Sequence, residues 1–262
     1  MTTVVILAAG SGTRLSPLTD NKPKCLVPLL GKPLLEWHLE ALREAGVENL
    51  VVVRGYCGEQ ISYPGVTYVD NNSYATTNMV YSLWCARDYF GDDITLAYGD
   101  IVYNPAVMRK VIESPYDISV VADRGWLSYW QQRFDDPLSD AETFRYNAQG
   151  SITELGQEPK SVDEIQAQYI GLVRFSGRGV AILKETLDAE EKASRKGKST
   201  LCSERNFNRL YITDLLQGMI DRGQAVHPVF IDRGWIEVDS PTDLKLASRL
   251  ASADGNWIEI KI

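Results

Sequence analysis

Two kinds of residue in this chain are spaced for chemistry. The first is a glycine loop with trailing cations: Gly10-Ser11-Gly12 is followed by Arg14, Lys22 and Lys24. Glycines let a backbone turn sharply and approach a ligand, and successive N–H groups in such a turn form an anion-binding concavity. Arg14 offers a fork of donors to a phosphate and Lys24 a compact charge. The second kind is a set of carboxylates at strand ends. Gly99-Asp100 follows the apolar run Ile94 to Tyr98, and Glu237 and Asp239 flank Val238. In an extended segment the last two point to the same side. A few carboxylates beside phosphate oxygens form a hard-ligand set suited to Mg²⁺. Helix capping is the competing role, but Asn104-Pro105 and Ser240-Pro241 supply caps downstream of Asp100 and Asp239.

The elements that must position these groups are legible as alternation. Val4 to Ala8 is an apolar strand that feeds the loop. A helix opens at Pro33, carries Leu35, Leu39 and Leu42 on one face, and closes at Gly46. Strands follow at Leu50 to Val53, Val66 to Val69, Ile94 to Tyr98 and Ile118 to Ala122. Between the last three strands, Met79, Val80, Leu83 and Trp84 suit a buried helical face. This order predicts an α/β fold with a doubly wound, mostly parallel Rossmann-like sheet, whose ligands sit at the carboxyl ends of the strands. From about Trp126 the pattern changes. Trp130 to Phe134, Glu142 to Tyr146, Ser151 to Glu154 and Gln168 to Phe175 read as strands of a smaller β-rich lobe on the same sheet. Helices return at Val180 to Glu191 and Tyr211 to Asp221, then strands at Ala225 to Ile231 and Trp235 to Val238. Ser240, Pro241 and Asp243 start a last helix as cap, first-turn proline and third-position acid. Trp257 to Ile262 alternates and either adds an edge strand or joins a partner chain, which leaves a homodimer open. The reading is one domain over residues 1–262.

Two familiar phosphate loops do not fit. A Walker loop needs four residues between its glycines and then Lys-Ser/Thr; one residue separates Gly10 from Gly12, and Thr13-Arg14 follows. The dinucleotide fingerprint needs a third small residue where this chain has Leu15, which argues against a dinucleotide oxidoreductase.

Composition sets further bounds. The 262 residues, 44% hydrophobic, suffice for one large domain. A formal net charge of -8 argues against general nucleic-acid binding. Cys25, Cys57, Cys85 and Cys202 are widely spaced and fit reduced thiols in a cytoplasmic protein. His38 and His227 are the only histidines, too few for a histidine metal site or triad. No run reaches membrane-spanning length, and no signal peptide is evident.

The run Leu7-Ala8-Ala9-Gly10-Ser11-Gly12-Thr13-Arg14-Leu15, with Pro17-Leu18-Thr19 and Lys22-Pro23-Lys24, resembles the signature of the nucleotidyltransferases that make activated sugars and alcohols. Asn71-x-x-Tyr74-x-x-x-Asn78 with Tyr81-Ser82-Leu83, and Gly55-Tyr56, are similar to the cytidylyltransferase branch acting on phosphocholine and related phosphate or phosphonate compounds. Any one of Thr76, Thr77 or Asn78 could equally serve as a helix cap. The resemblance implies a nucleotide site at Leu7, Ala8, Ala9, Gly10, Gly12, Thr13, Arg14, Lys24, Gly55, Asn72, Thr77, Asn78, Ser82 and Gly99. Arg14 and Lys24 would act on the phosphates. Asp100 and Asp239 would bind catalytic Mg²⁺, with Glu237 an additional ligand in the cytidylyltransferase branch. Residues 1–123 would mainly hold CTP, and residues 124–262 the acceptor.

For the acceptor, candidate residues are Trp126, Trp130, Glu158, Lys160, Tyr169 and Asp214. Aromatic faces beside carboxylates can hold an ammonium group, and equally these aromatics can be packing. Where sugar-1-phosphate enzymes carry Glu-Lys-Pro, this chain has Gln157-Glu158-Pro159-Lys160, which weakens the case for a hexose 1-phosphate. The expected reaction is transfer of CMP from CTP to a small phosphorylated or phosphonate acceptor, with release of pyrophosphate. One alternative is a sugar-1-phosphate nucleotidylyltransferase using UTP, dTTP or GTP. A catalytically silent nucleotide-sensing regulatory subunit is a second.

Overall fold

The computed structural model describes residues 2–197, 199–201, 205–254 and 257–260, with side chains described outside 252–260. In chain order, β1 (Thr3–Ala8) is followed by the short hairpin β2 (Pro28–Leu29) and β3 (Lys32–Pro33), helix α1 (Leu34–Glu44), β4 (Asn49–Arg54) and β5 (Val66–Asp70). Next come α2 (Met79–Cys85), β6 (Asp93–Tyr98), β7 (Ile101–Tyr103), α3 (Pro105–Ile112), β8 (Ile118–Asp123) and α4 (Trp126–Arg133). The chain continues through β9 (Phe144–Tyr146), β10 (Ile152–Leu155), β11 (Gln168–Ser176), α5 (Arg178–Ser194) and α6 (Ile212–Asp221). It closes with β12 (His227–Ile231), β13 (Trp235–Glu237), α7 (Pro241–Leu250), β14 (Ala251–Asp254) and β15 (Trp257–Ile260).

Seven strands form the central sheet in the order β12-β8-β11-β6-β1-β4-β5. All neighbours run parallel except β11, which runs antiparallel to both β6 and β8. Strand alternation divides the core between the two faces of the sheet. Val4 and Ile6 pack with Leu35, Leu39 and Leu42 of α1 on one face. Val5 packs with Val80 and Leu83 of α2 and with α5 and α6 residues such as Leu183 and Leu216 on the other. Gly46, at φ +85°, ends α1 as its spacing predicts.

Two expectations change. The stretch from Trp130 to Phe134 is not a strand; it completes and caps the helix α4. Trp126, Tyr129, Trp130 and Arg133 are its buried residues, and that spacing is helical. Burial of one helical face decides the matter. Gln168 to Phe175 is a strand, yet it belongs to the central sheet, so the lobe's own β-structure is the β9–β10 hairpin. β15 pairs with β14 as a separate hairpin; residues 261–262 and Cys202 lie outside the described residues. Among the described residues no helix is long and apolar enough to cross a membrane.

A buried carboxylate ties together the elements around the later half of the site. Asp123, at the end of β8, accepts from Gly125 N at 2.8 Å, Arg233 N at 2.8 Å, Arg233 Nη1 at 2.7 Å and Trp235 Nε1 at 2.8 Å. All its oxygens are satisfied, so the start of α4 and the start of β13 are held to one point.

His38 of α1 is fully buried, and its Nε2 shares a 2.8 Å hydrogen bond with the Tyr103 hydroxyl of β7. Burial pushes its pKa down from 6.5 to about 3. The folded imidazole therefore stays neutral where the unfolded one takes up a proton. Stability is unaffected above pH 6.5, falls progressively below it, and stops falling near pH 3. Urea unfolding of wild type against His38→Gln should show a loss about 2 to 3 kcal/mol steeper in wild type between pH 6.5 and 4.5. Parallel pH profiles for the two proteins would contradict this.

Candidate active site

Backbone pairing brings the three carboxylates together. Gly99 N donates to Leu7 O at 3.0 Å, which ends β6 against β1. A Cβ at Gly99 would lie 2.8 Å from Leu7 O, so only glycine permits this approach. Asp100 comes next. β7 then pairs antiparallel with β13, Ile101 opposite Glu237, and Val238 N donates to Asp100 O at 3.2 Å. One oxygen each from Asp100, Glu237 and Asp239 lies within 4.8 Å of the others. Neither aspartate caps a helix. Asn104 Oδ1 accepts from Ala106 N to cap α3, and Ser240 with Asp243 forms a capping box on α7.

Cations converge on this cluster. Lys24 Nζ donates to Asp100 Oδ2 at 2.6 Å and also to Asp239 Oδ1. Arg14 Nη2 lies 3.0 Å from Asp239 Oδ1. Arg133, the buried last residue of α4, donates from Nη1 to Glu237 Oε2 at 2.7 Å and from Nε to Asp243 Oδ1 at 2.9 Å. Burial opposes the charge on Lys24, but Asp100, Asp239 and Glu237 outweigh it and hold the ammonium protonated well above its ordinary range. Burial would likewise raise Asp239, yet Lys24, Arg14 and Arg133 bring its pKa below the usual value. Glu237 moves the other way: burial, and then the charge of Asp239, push it up to about 8. Asp100 Oδ1 is buried and has no hydrogen-bond partner. Three converging carboxylates with an unpaired buried oxygen fit a hard divalent cation.

The glycine loop is built against the same lysine. Gly12 has φ +65°, and a Cβ there would meet Lys24 Cβ at 2.7 Å. Leu15 N and Thr19 Oγ1 both donate to Gly12 O, at 2.9 and 2.8 Å. Arg14 leaves the loop with its side chain 66% exposed, within reach of a ligand.

Two cavities meet at the carboxylates. The first, of about 670 Å³, is lined by Leu7, Ala8, Ala9, Gly10, Lys24, Thr77, Asn78, Ser82, Gly99 and Asp100 among the expected residues. Gly12, Thr13 and Arg14 are outside its lining, as is Gly55, where a Cβ would lie 2.5 Å from Ala9 O. Asn72 is exposed and also outside it; its neighbour Asn71 is the buried organiser. Asn71 Nδ2 donates to Thr77 Oγ1 and to Ser82 Oγ, each at 3.0 Å. Asn78 caps α2 by accepting from Met79 N at 2.9 Å, so it lines the cavity and caps a helix at once. Cys25, Tyr74, Met79 and Tyr98 also line this cavity and had not been expected.

The second cavity, of about 700 Å³, shares Met79 and Tyr98 with the first and includes Glu237 and Asp239. Trp130 and Tyr169 line it as expected. The other expected acceptor residues do not. Trp126 is buried, with Nε1 donating to Ile165 O at 3.3 Å. Glu158 and Lys160 are exposed, away from the lining. Asp214 caps α6 by accepting from Tyr211 N at 2.8 Å and pairs with Arg205 at 2.9 Å. In their place the cavity presents Asp140, Glu142 and Gln168. No spacing in the sequence marks these three. Asp140 and Glu142 are half-buried, as are Glu154 and Glu164, and only the position of the first two at the cavity, which depends on the tertiary fold, sets them apart.

Comparison with known proteins agrees with this architecture. The chain is 36% identical over 253 residues to the CTP:phosphoglutamine cytidylyltransferase of Campylobacter jejuni, covering 92% of this chain and 97% of that protein. It is 36% identical over 256 residues to the CMP-5'-(3-aminopropyl)phosphonate synthase of Streptomyces rubellomurinus, covering 93% of this chain but 38% of that longer protein. The solved CTP:phosphocholine cytidylyltransferase of Streptococcus pneumoniae has the same fold, with a TM-score of 0.70 at 23% identity, covering 95% of this chain and 98% of that one. The family model for the MobA-like NTP transferase domain matches residues 4–238. With the glycine loop, Lys24 and the strand-end carboxylates assembled at one junction, this chain belongs to the MobA-like NTP transferase family.

Proposed function

We propose that the protein is a Mg²⁺-dependent cytidylyltransferase that moves CMP from CTP to a small phosphorylated or phosphonate acceptor. The observation that carries this reading is the placement of Asp100, Glu237 and Asp239 where a cavity behind the glycine loop meets a second one. Such a junction suits transfer between two bound molecules. The first cavity is lined by residues 7–100 and the second by residues 79–239, which supports a nucleotide half followed by an acceptor half in one domain. The choice of CTP and of an amino-bearing acceptor rests on the relatives, which act on phosphoglutamine and make an aminopropylphosphonate product.

In the reaction an oxygen of the acceptor phosphate or phosphonate attacks the α-phosphorus of CTP in line. The bond from the α-phosphorus to the bridging oxygen breaks, and pyrophosphate leaves. The nucleophile is already an anion, so no strong base is required. The placement of the histidines agrees: His38 is buried under Tyr103, and His227 stacks on Tyr116. The difficulty is the approach of several anions, which positioning and fixed positive charge relieve. Arg14 would hold the departing phosphates. Lys24, fixed by Gly12 on one side and Asp100 on the other, would face the charge that builds on the α-phosphate. Asp100, Glu237 and Asp239 would hold Mg²⁺, which when bound supplies charge neutralisation and alignment of phosphate oxygens. Arg133 keeps Glu237 in place by pairing with it. We place this chemistry in the cytoplasm, where CTP is available.

Pyrophosphate release measured with CTP, UTP, dTTP and GTP against phosphocholine, 2-aminoethylphosphonate and glucose 1-phosphate tests the reading. We expect turnover with CTP and an amino-bearing acceptor; turnover with a hexose 1-phosphate alone would replace this function with that of a sugar-1-phosphate nucleotidylyltransferase. Lys24→Met and Asp100→Asn should each lower kcat by about 100- to 1000-fold with the circular dichroism spectrum unchanged. Near-normal turnover in either would remove its role. EDTA should abolish activity and excess Mg²⁺ restore it, and a chelator-insensitive rate would refute the metal requirement.

A further inference from the structure

Glu237 ends a short ribbon. Among the described residues β13 has one strand partner, β7, over three residue pairs. The peptide of Glu237 is met from a different element. The hydroxyl of Tyr129, on α4, accepts from Glu237 N at 3.0 Å and donates to Glu237 O at 3.2 Å. In an antiparallel ladder the N–H and C=O of one residue leave the strand on the same edge. A single side-chain hydroxyl therefore pairs with Glu237 as a third strand would, using its one donor and one of its lone pairs.

The two N–H groups that follow are fixed as well. Val238 N donates to Asp100 O at 3.2 Å, and Asp239 N donates to Asp243 Oδ2 at 3.1 Å. Arg133, one turn beyond Tyr129 on α4, takes the Glu237 carboxylate at 2.7 Å. α4 thus holds Glu237 twice, by its peptide and by its side chain.

Tyr129 is itself locked. It is 1% exposed, and the Arg233 guanidinium lies 3.9 Å from its ring centroid. Trp235 meets the ring edge-on, at 5.7 Å between centroids and 77° between planes. Arg233 takes φ +60°, and Asp123 holds it there through its N and Nη1. A left-handed backbone on a residue with a long side chain persists only where its surroundings enforce it. One series of contacts runs from the end of β8, through Asp123, Arg233 and Tyr129, to the Glu237 peptide.

Resting on the metal-dependent reading, we propose that Tyr129 is a positioning residue for the metal ligands. Its hydroxyl fixes the Glu237 peptide so that the carboxylates of Glu237 and Asp239 converge on Asp100. Tyr129 lines neither cavity, so it acts through Glu237 and not on a substrate. Groups behind a metal ligand set its orientation, and losing one weakens the metal more than it weakens the fold.

Tyr129→Phe removes the hydroxyl and keeps the ring. Tyr103→Phe is the matched control: Tyr103 is also fully buried and lies opposite Trp235 in the same ribbon, but its hydroxyl bonds His38. Mn²⁺ titrated into each full-length protein without nucleotide, with the free ion followed by electron paramagnetic resonance, reads the ligand set directly. Tyr129→Phe should raise the Kd about tenfold over wild type. Tyr103→Phe should leave it unchanged. In turnover with CTP, raising Mg²⁺ should restore most of the rate that Tyr129→Phe loses at low Mg²⁺. An equal Kd in wild type and Tyr129→Phe would overturn the positioning role and leave the metal site standing. Equal weakening in Tyr103→Phe would also overturn it, because that marks lost stability and not lost position. A wild type that takes up no Mn²⁺ would remove the metal reading and this role with it. Weakened Mn²⁺ binding in Tyr129→Phe, with no pyrophosphate release from CTP by wild type, would keep the role and remove the cytidylyltransferase reading.

Discussion

Asp100, Glu237, Asp239 and Asp243 bring four carboxylates into one small volume, and left alone they would repel one another strongly. Arg133 is the group on which their arrangement depends. It joins Glu237 to Asp243 from beneath, and its Nη2 lies 3.8 Å from Asp239. Its side chain is wholly buried, so it neutralises charge without occupying either cavity. Lys24 and Arg14 balance the opposite side. Arg133 acts as a permanent internal counter-ion, and the two loop cations remain within reach of a ligand. Asp243 links this electrostatic arrangement to the backbone, because the same carboxylate accepts from Asp239 N and Ser240 N at the start of α7.

The parts of the fold that could be read directly from sequence are those decided locally. β1 and its loop, the α1 face of Leu35, Leu39 and Leu42, and the caps at Asn104 and Ser240 each depend on neighbours within a few residues. The meeting of Asp100 with Glu237 and Asp239 was implied by the family resemblance; what brings it about is the pairing of β7 with β13, outside the central sheet. The second cavity was not foreseeable. Trp130 was expected and Glu142 was missed, although they lie in the same region of the chain. What distinguishes Glu142 from Glu158 is burial, which depends on how α4, β9 and β11 pack. The helical period of Trp126, Tyr129, Trp130 and Arg133 was present in the sequence, although Trp130 to Phe134 read as a strand. Asn71 and Asn72 differ only in which side chain turns inward at the end of β5.

The two cavities are held to different standards of precision. The first is bounded in part by the end of β1, Gly10 and the Gly99 turn, where a Cβ at Gly99 would collide with Leu7 O. On that side its wall is backbone and small residues, Ala8, Ala9, Gly10 and Gly99, which fixes its shape there. The second is bounded largely by side chains: Trp130, Glu142, Gln168, Tyr169 and Tyr211. Changing those side chains alters the cavity without disturbing a strand.

The reversed direction of β11 bears on how such a protein can diversify. Residue Asp123 is the last of β8 and Gln168 the first of β11, and the two are direct partners in the sheet. The chain between them therefore leaves and re-enters the scaffold at a single base-like step, as a long loop closed by a ladder pair. Within it α4 is fixed, because it carries Arg133, whereas the loops joining α4, the β9–β10 hairpin and β11 can lengthen or shrink while the sheet's register stays intact. An insertion elsewhere between parallel strands would have to preserve a crossover. The segment between β8 and β11 is thus anchored at both ends by one sheet pairing, and its loops are the part of the chain most open to change.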